Sequence, residues 1–212
     1  MKFPKKLKIG GHWFNILFPY KFKERSDYSS QFDINMGEIR ISGVNKSGIW
    51  YADSRLKEAL LTEIIRACIN IYFQSNDEIS GKIVTGLANG WYQLFADNPT
   101  FAVSGNIPSI LRIAGHNIEV KYPYLFNERT DICGRAYINQ NCIQLAGVDD
   151  GGNKMLHSRV WSIFVHEINH YIMSSYCNGE KDKESIIEAI AQGLYQVFID
   201  NKLDFNGPII KE

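Results

Sequence analysis

Apolar residues fall into two kinds of pattern along this chain, and the pair of patterns occurs twice in the same order. Residues 7–18 (LKIGGHWFNILF) are dense in β-branched and aromatic side chains and stop at Pro19, which predicts extended backbone. Two short segments, 31–35 and 38–43, flank Met36 and Gly37 in the manner of a hairpin. The apolar period then lengthens to that of helices over about 52–74 and 80–97. The second half repeats the order: strands at 111–121, 135–139 and 142–146, with a turn at Gln140 and Asn141, then helices at 156–177 and 183–200.

The repetition extends to residue identity. At an offset of 104, KLKIGGHWFNILFPYKFKERSD from Lys6 lies over ILRIAGHNIEVKYPYLFNERTD from Ile110. Self-similarity at a fixed offset marks a duplicated unit. Strands preceding helices within each unit predict an α+β fold of two tandem repeats. Each is expected to be a small antiparallel sheet of about three strands followed by two helices. The expected boundaries are 1–98 for the first repeat, 99–109 for a linker containing Pro99, Gly105 and Pro108, and 110–212 for the second. Two such units are expected to pack as a pseudo-symmetric pair, compatible with a monomeric chain.

Composition narrows the classes. The 212 residues are 45% hydrophobic, and 23 Lys and Arg balance 23 Asp and Glu, which argues against a nucleic-acid footprint. No apolar run approaches the ~20 residues of a bilayer span, and the start has no signal-peptide pattern, so the expected compartment is the cytoplasm and no membrane partner is expected. Cys68, Cys133, Cys142 and Cys177 are scattered and are read as reduced thiols.

The chemistry is concentrated in one helix. His166, Glu167, Ile168, Asn169 and His170 fit H-E-x-x-H, whereas the same offset places Thr62, Glu63 and Arg66 opposite His166, Glu167 and His170. Trp161, Phe164, Val165, Ile168 and Ile172 form an apolar stripe, and the two histidines lie roughly opposite it, one turn apart. That helix is expected to be covered on both sides, by the sheet and by the last helix. Two imidazoles on one rigid turn supply two zinc ligands, and Glu167 is placed to act as general base on a zinc-activated water. A third ligand is needed. Glu188, bordering the apolar face of the next helix, is the first choice; Glu184, Cys177 and Asp182 remain alternatives.

HEINH on one helix with Glu188 on the next resembles the gluzincin branch of zinc-dependent metallopeptidases, in particular the minimal zincins common in phages and prophages. The resemblance covers roughly residues 108–205. It implies a peptide or protein substrate, a zinc cofactor held by His166, His170 and Glu188, and catalysis by Glu167. No extended downstream domain like that of the larger gluzincins is expected, which leaves substrate binding and oxyanion stabilisation unassigned. The competing reading is a catalytically inactive, zincin-like binding or inhibitory protein with zinc structural or absent.

The duplicate serves as an internal control. His12 and His116 occur in matching contexts, as do Glu24, Arg25 and Asp27 with Glu128, Arg129 and Asp131, and all are read as structural. Tyr195 matches Tyr92, although its place seven residues after Glu188 would let it donate to a tetrahedral intermediate. His157, opposite Asp53, is read as a helix-start histidine. Glu63 persists opposite Glu167 without ligands nearby, so Glu167 is not there for catalysis alone.

Overall fold

A computed structural model of the chain describes residues 3–23, 28–73, 79–101, 103, 105–127, 131–177, 184–203 and 205–210. The first repeat runs β1 (Lys6–Ile9), β2 (His12–Leu17), β3 (Ser30–Asp33), β4 (Glu38–Ile41), α1 (Asp53–Tyr72) and α2 (Gly81–Asp97). The second runs β5 (Ile110–Ile113), β6 (His116–Tyr124), β7 (Gly134–Tyr137), β8 (Cys142–Ala146), α3 (His157–Tyr176) and α4 (Glu184–Asn201), with a 3-10 turn at Ile138–Gln140. The fold is α+β.

The sheets differ from expectation in strand number and direction. Each has four strands, ordered β1-β2-β4-β3 and β5-β6-β8-β7. The apolar run at 7–18 breaks in the middle because Gly10 and Gly11, at φ +57° and +84°, form a tight reversal, after which Ile9 pairs with His12. Ala114 and Gly115 repeat that turn at φ 52° and 80°. Nor are the sheets purely antiparallel: β4 inserts between β2 and β3 and runs parallel to β2, pairing Ile16 with Ile39. β8 does the same beside β6, pairing Val120 with Ile143. β8 is buried at Cys142, Ile143, Leu145 and Ala146 with Gln144 half-buried between them, whereas β4 in the equivalent inner place alternates.

The repeats share one apolar core. α1 packs on its own sheet and on α2 and α4, while α3 packs on its own sheet, on α4 and on α2. The second helix of each repeat also reaches the first strand of the other, α4 on β1 and α2 on β5. The same contacts occur twice. Asn201 clamps the β1 backbone, accepting from Lys8 N at 2.8 Å and donating to Lys8 O at 2.9 Å. Asn98 clamps Arg112 on β5 with two bonds of 2.8 Å. Asp200 and Asp97, each one residue earlier, pair with Lys8 Nζ at 3.1 Å and Arg112 Nε at 3.8 Å.

Close helix crossings follow the same rule. A Cβ on Gly90 would lie 2.2 Å from Ile172 Cγ2, and one on Gly193 would lie 2.6 Å from Cys68 Cβ. Ile172 stands opposite Cys68 at the offset of 104, and Gly193 opposite Gly90 at 103, so the two are one contact seen from both sides. The shared core is asymmetric where Trp91 Nε1 donates to Asn169 Oδ1 at 2.8 Å. The counterparts of those residues, Leu194 and Ile65, are apolar and fully buried. Among the described residues, no helix is long and apolar enough to cross a membrane.

Candidate metal centre

α3 places the H-E-x-x-H residues by burying Val160, Trp161, Phe164, Val165, Ile168 and Ile172. The helix is covered by β7 and β8 on the sheet side and by α2 and α4. His166 and His170 face the start of α4, with side chains 14% and 19% exposed. Their Nε2 atoms converge to 3.0 Å. Two imidazole nitrogens on one tetrahedral zinc at about 2.0–2.1 Å would sit about 3.3 Å apart, so the pair is already close to the spacing a shared cation needs. Glu184, in the first turn of α4, brings Oε1 to 3.0 Å from His166 Nε2 and Oε2 to 3.5 Å from His170 Nε2. Ligand atoms of these three residues all lie within 4.8 Å of one another.

Glu188 occupies a different place. Its Oε2 lies 3.0 Å from Nδ1 of His166, the nitrogen that faces away from His170, and Gln192 Nε2 donates to its Oε1 at 2.6 Å. An Nδ1–H donated to Glu188 leaves Nε2 of His166 with a lone pair pointing at the cluster, which is how a carboxylate behind a histidine prepares it for metal. The structure therefore groups Glu184 with the two imidazole nitrogens and sets Glu188 behind His166. Three lone-pair donors converging on one point repel each other unless a proton or cation lies between them, so the donor set fits a divalent N/O-seeking ion.

Glu167 is 6% exposed. Burial pushes its carboxyl up to about 7, opposed by His170 and the Ala136 N–H and reinforced by Glu184. The N–H of Ala136 on the edge strand β7 is therefore the partner that pins the side chain. Glu63 makes the same bond to the N–H of Phe32, 104 residues earlier than Ala136. What differs is the neighbouring strand position. Ser30 donates its hydroxyl to Glu63 Oε1 at 2.6 Å, whereas its counterpart is Gly134, where a Cβ would lie 2.7 Å from Glu167 Oε1. Glu167 and Ile163 close over the glycine and occupy the volume that a side chain would take there. That exchange was readable by laying the repeats over each other, but neither residue type signals chemistry alone.

The remaining candidates sit elsewhere. His12 and His116 are exposed where β2 and β6 begin, outside the cluster. His157 and Trp161 hold the Gly105 carbonyl, from 3.1 and 2.8 Å respectively. Cys177 is buried between the repeats, with Sγ 3.7 Å from Ile83 O. All four cysteines are free thiols. Tyr92 and Tyr195 pack against the core. Asp182, Glu24, Arg25, Asp27, Glu128 and Arg129 lie outside the described residues. No family model, curated protein or solved structure matches the chain.

Proposed function

We propose that the second repeat is a zinc-dependent hydrolase centre and that the protein acts as a metallopeptidase on peptide or protein substrates. The observation that carries this reading is the convergence of His166 Nε2 and His170 Nε2 to 3.0 Å on a helix whose intervening Glu167 is buried alongside. His166, His170 and Glu184 would hold the ion, with Glu188 fixing the imidazole of His166 through Nδ1. Zinc, when bound, supplies a water acidic enough to be nucleophilic near neutral pH and polarises a carbonyl. Glu167 does the proton work. Glu167, buried beside the two histidines and held by the Ala136 N–H, would take a proton from water and pass it to the leaving amine.

The experiment is proteolysis of an unstructured protein by wild type and by Glu167→Gln, with bound zinc measured in both. Activity lost with zinc retained supports the reading. Equal activity in both, or none in zinc-loaded wild type, leaves the alternative of an inactive zincin-like binding protein. One observation favours that alternative: Glu63 makes the same strand contact in a repeat without histidines, so a glutamate here has a structural task independent of catalysis.

A further inference from the structure

The first repeat has a cleft of about 450 Å³ at the position that holds the histidine cluster in the second, lined by Glu63, Arg66, Arg55, Thr85 and Asn89 among others. That volume lies within the range of about 300–1,000 Å³ typical of small-ligand sites. Substitution has inverted its charge. Where the second repeat presents His166, His170, Glu184 and Glu188, the first has Thr62, Arg66, Gly81 and Thr85. Two carboxylates are gone, and a permanent cation has replaced an imidazole. We propose that this cleft is a second ligand site, specific for a carboxylate carried on a peptide-sized molecule, with the Arg66 guanidinium as its anchor.

The immediate surroundings support an anion rather than a cation. Among the described residues Glu63 is the one acidic side chain lining the cleft, and it is spoken for: Oε1 takes the Ser30 hydroxyl at 2.6 Å, and the backbone N–H of Phe32 also bonds it. Its other oxygen makes no hydrogen bond among the described residues and lies 3.5 Å from Arg66 Nε, close enough to orient the guanidinium without occupying its fork. Arg66 is 48% exposed and Arg55 is 54% exposed, the latter 3.6 Å from Glu58. The Arg55–Glu58 pair lies near the surface and holds its guanidinium weakly, and the Arg66 guanidinium, whose partner Glu63 is buried, is itself half exposed. A guanidinium presents parallel N–H groups that match the two oxygens of a carboxylate. Thr85 and Asn89 add neutral polar groups, and Ala59, Phe32 and Tyr28 supply apolar wall, which suits the chain of a peptide more than a bare ion.

The inference stands independently of whether the second repeat binds metal, and the test keeps the two apart. Full-length protein stripped of metal with chelator is titrated calorimetrically with acetyl-trialanine as the free acid, the same peptide as its carboxamide, an acetyl-capped peptide amide with one internal aspartate, acetate and inorganic phosphate. The expected result is one site for a carboxylate peptide, with the carboxamide weaker by about tenfold or more, as loss of a charge-assisted pair requires. The free-acid and aspartate peptides separate a terminal from a side-chain carboxylate, and preference for either upholds the site. Arg66→Gln, at a half-exposed position, should weaken binding by about tenfold or more, and Thr85→Glu, which restores the carboxylate of the other repeat, should weaken it similarly. His166→Ala/His170→Ala should leave it unchanged. Equal affinity for acid and carboxamide, no effect of Arg66→Gln, loss in the double histidine variant, or binding of phosphate without peptide would each overturn the proposal.

Discussion

Trp91 and Asn169 allow the coupling between repeats to be measured with a double-mutant cycle. Both are fully buried, and they bond at 2.8 Å. Because an indole N–H only donates, the amide must present its oxygen, which leaves Asn169 Nδ2 buried without a partner among the described residues. Trp91→Phe keeps a ring near Phe95 and Phe198, now 5.8 and 5.3 Å away, but strands Oδ1 as well as Nδ2. The unmet acceptor alone should cost about 1–3 kcal/mol. Asn169→Leu orphans the indole N–H at a similar cost, offset by removing the unpartnered Nδ2, so its net effect should be smaller. Together the two substitutions leave no stranded polar atom and approach the apolar pair Leu194 and Ile65 that the fold already holds at the equivalent place. The double variant should therefore lose less stability than the sum of the singles by about 1–3 kcal/mol. Guanidinium unfolding, with unchanged slope, reads this directly. Additivity within about 0.5 kcal/mol would refute the reasoning.

Further outcomes follow from other contacts. Glu184→Gln should abolish stoichiometric zinc binding, while Glu188→Gln, which only loosens the grip on His166 Nδ1, should weaken it by about 10–100-fold; competition with a chromophoric chelator measures both, and the reverse order would make Glu188 the ligand. Asn98→Ala and Asn201→Ala should each lower stability by about 1–3 kcal/mol in chemical unfolding, because each strands the backbone pair of an edge strand in the other repeat, and a neutral result would remove the clamp from the account. Gly90→Val should cost about 1–3 kcal/mol by overpacking against Ile172, and Gly193→Val should do the same against Cys68; a marked inequality would show that the two crossings are not equivalent. Burial raises the Glu63 carboxyl above its ordinary value of 4.5. Protons then bind the folded state more tightly, so the contribution is complete below 4.5 and is lost as pH rises through the raised folded value. Stability of wild type relative to Glu63→Gln should fall with pH across that window, and a flat or rising difference would contradict it.

The duplication made much of the architecture legible, since two noisy readings of one unit reinforce each other. All four helices lie where the apolar period places them, within a few residues at each end. Strand number failed at Gly10 and Gly11: the pair is a two-residue turn signal, but apolar and aromatic residues on both sides let it read as part of one long strand, and the left-handed backbone of the two glycines turns the chain there. The parallel pairing of β2 with β4 was hidden for a different reason: strand order is a property of long-range contacts, and a hairpin signal between β3 and β4 is silent about where β2 lies. At the site, helical spacing was enough to bring His166 and His170 together, since one turn of α3 does it. It was not enough to choose between Glu184 and Glu188, which lie one turn apart on α4 and both reach His166; which nitrogen each meets depends on how α4 crosses α3. The recurring Asp-Asn pair at 97–98 and 200–201 carried a signal for the clamps. Small polar residues at helix ends usually cap their own helix, and these two do so, bonding Leu94 O and Val197 O, while also reaching another repeat.

The most direct test of the metal centre is zinc content per chain by elemental analysis, on protein purified without chelator and again after reconstitution. About one zinc per chain is expected, absent in His166→Ala and unaffected by Thr62→Ala in the first repeat. No zinc under either condition, or zinc that survives His166→Ala, would contradict it.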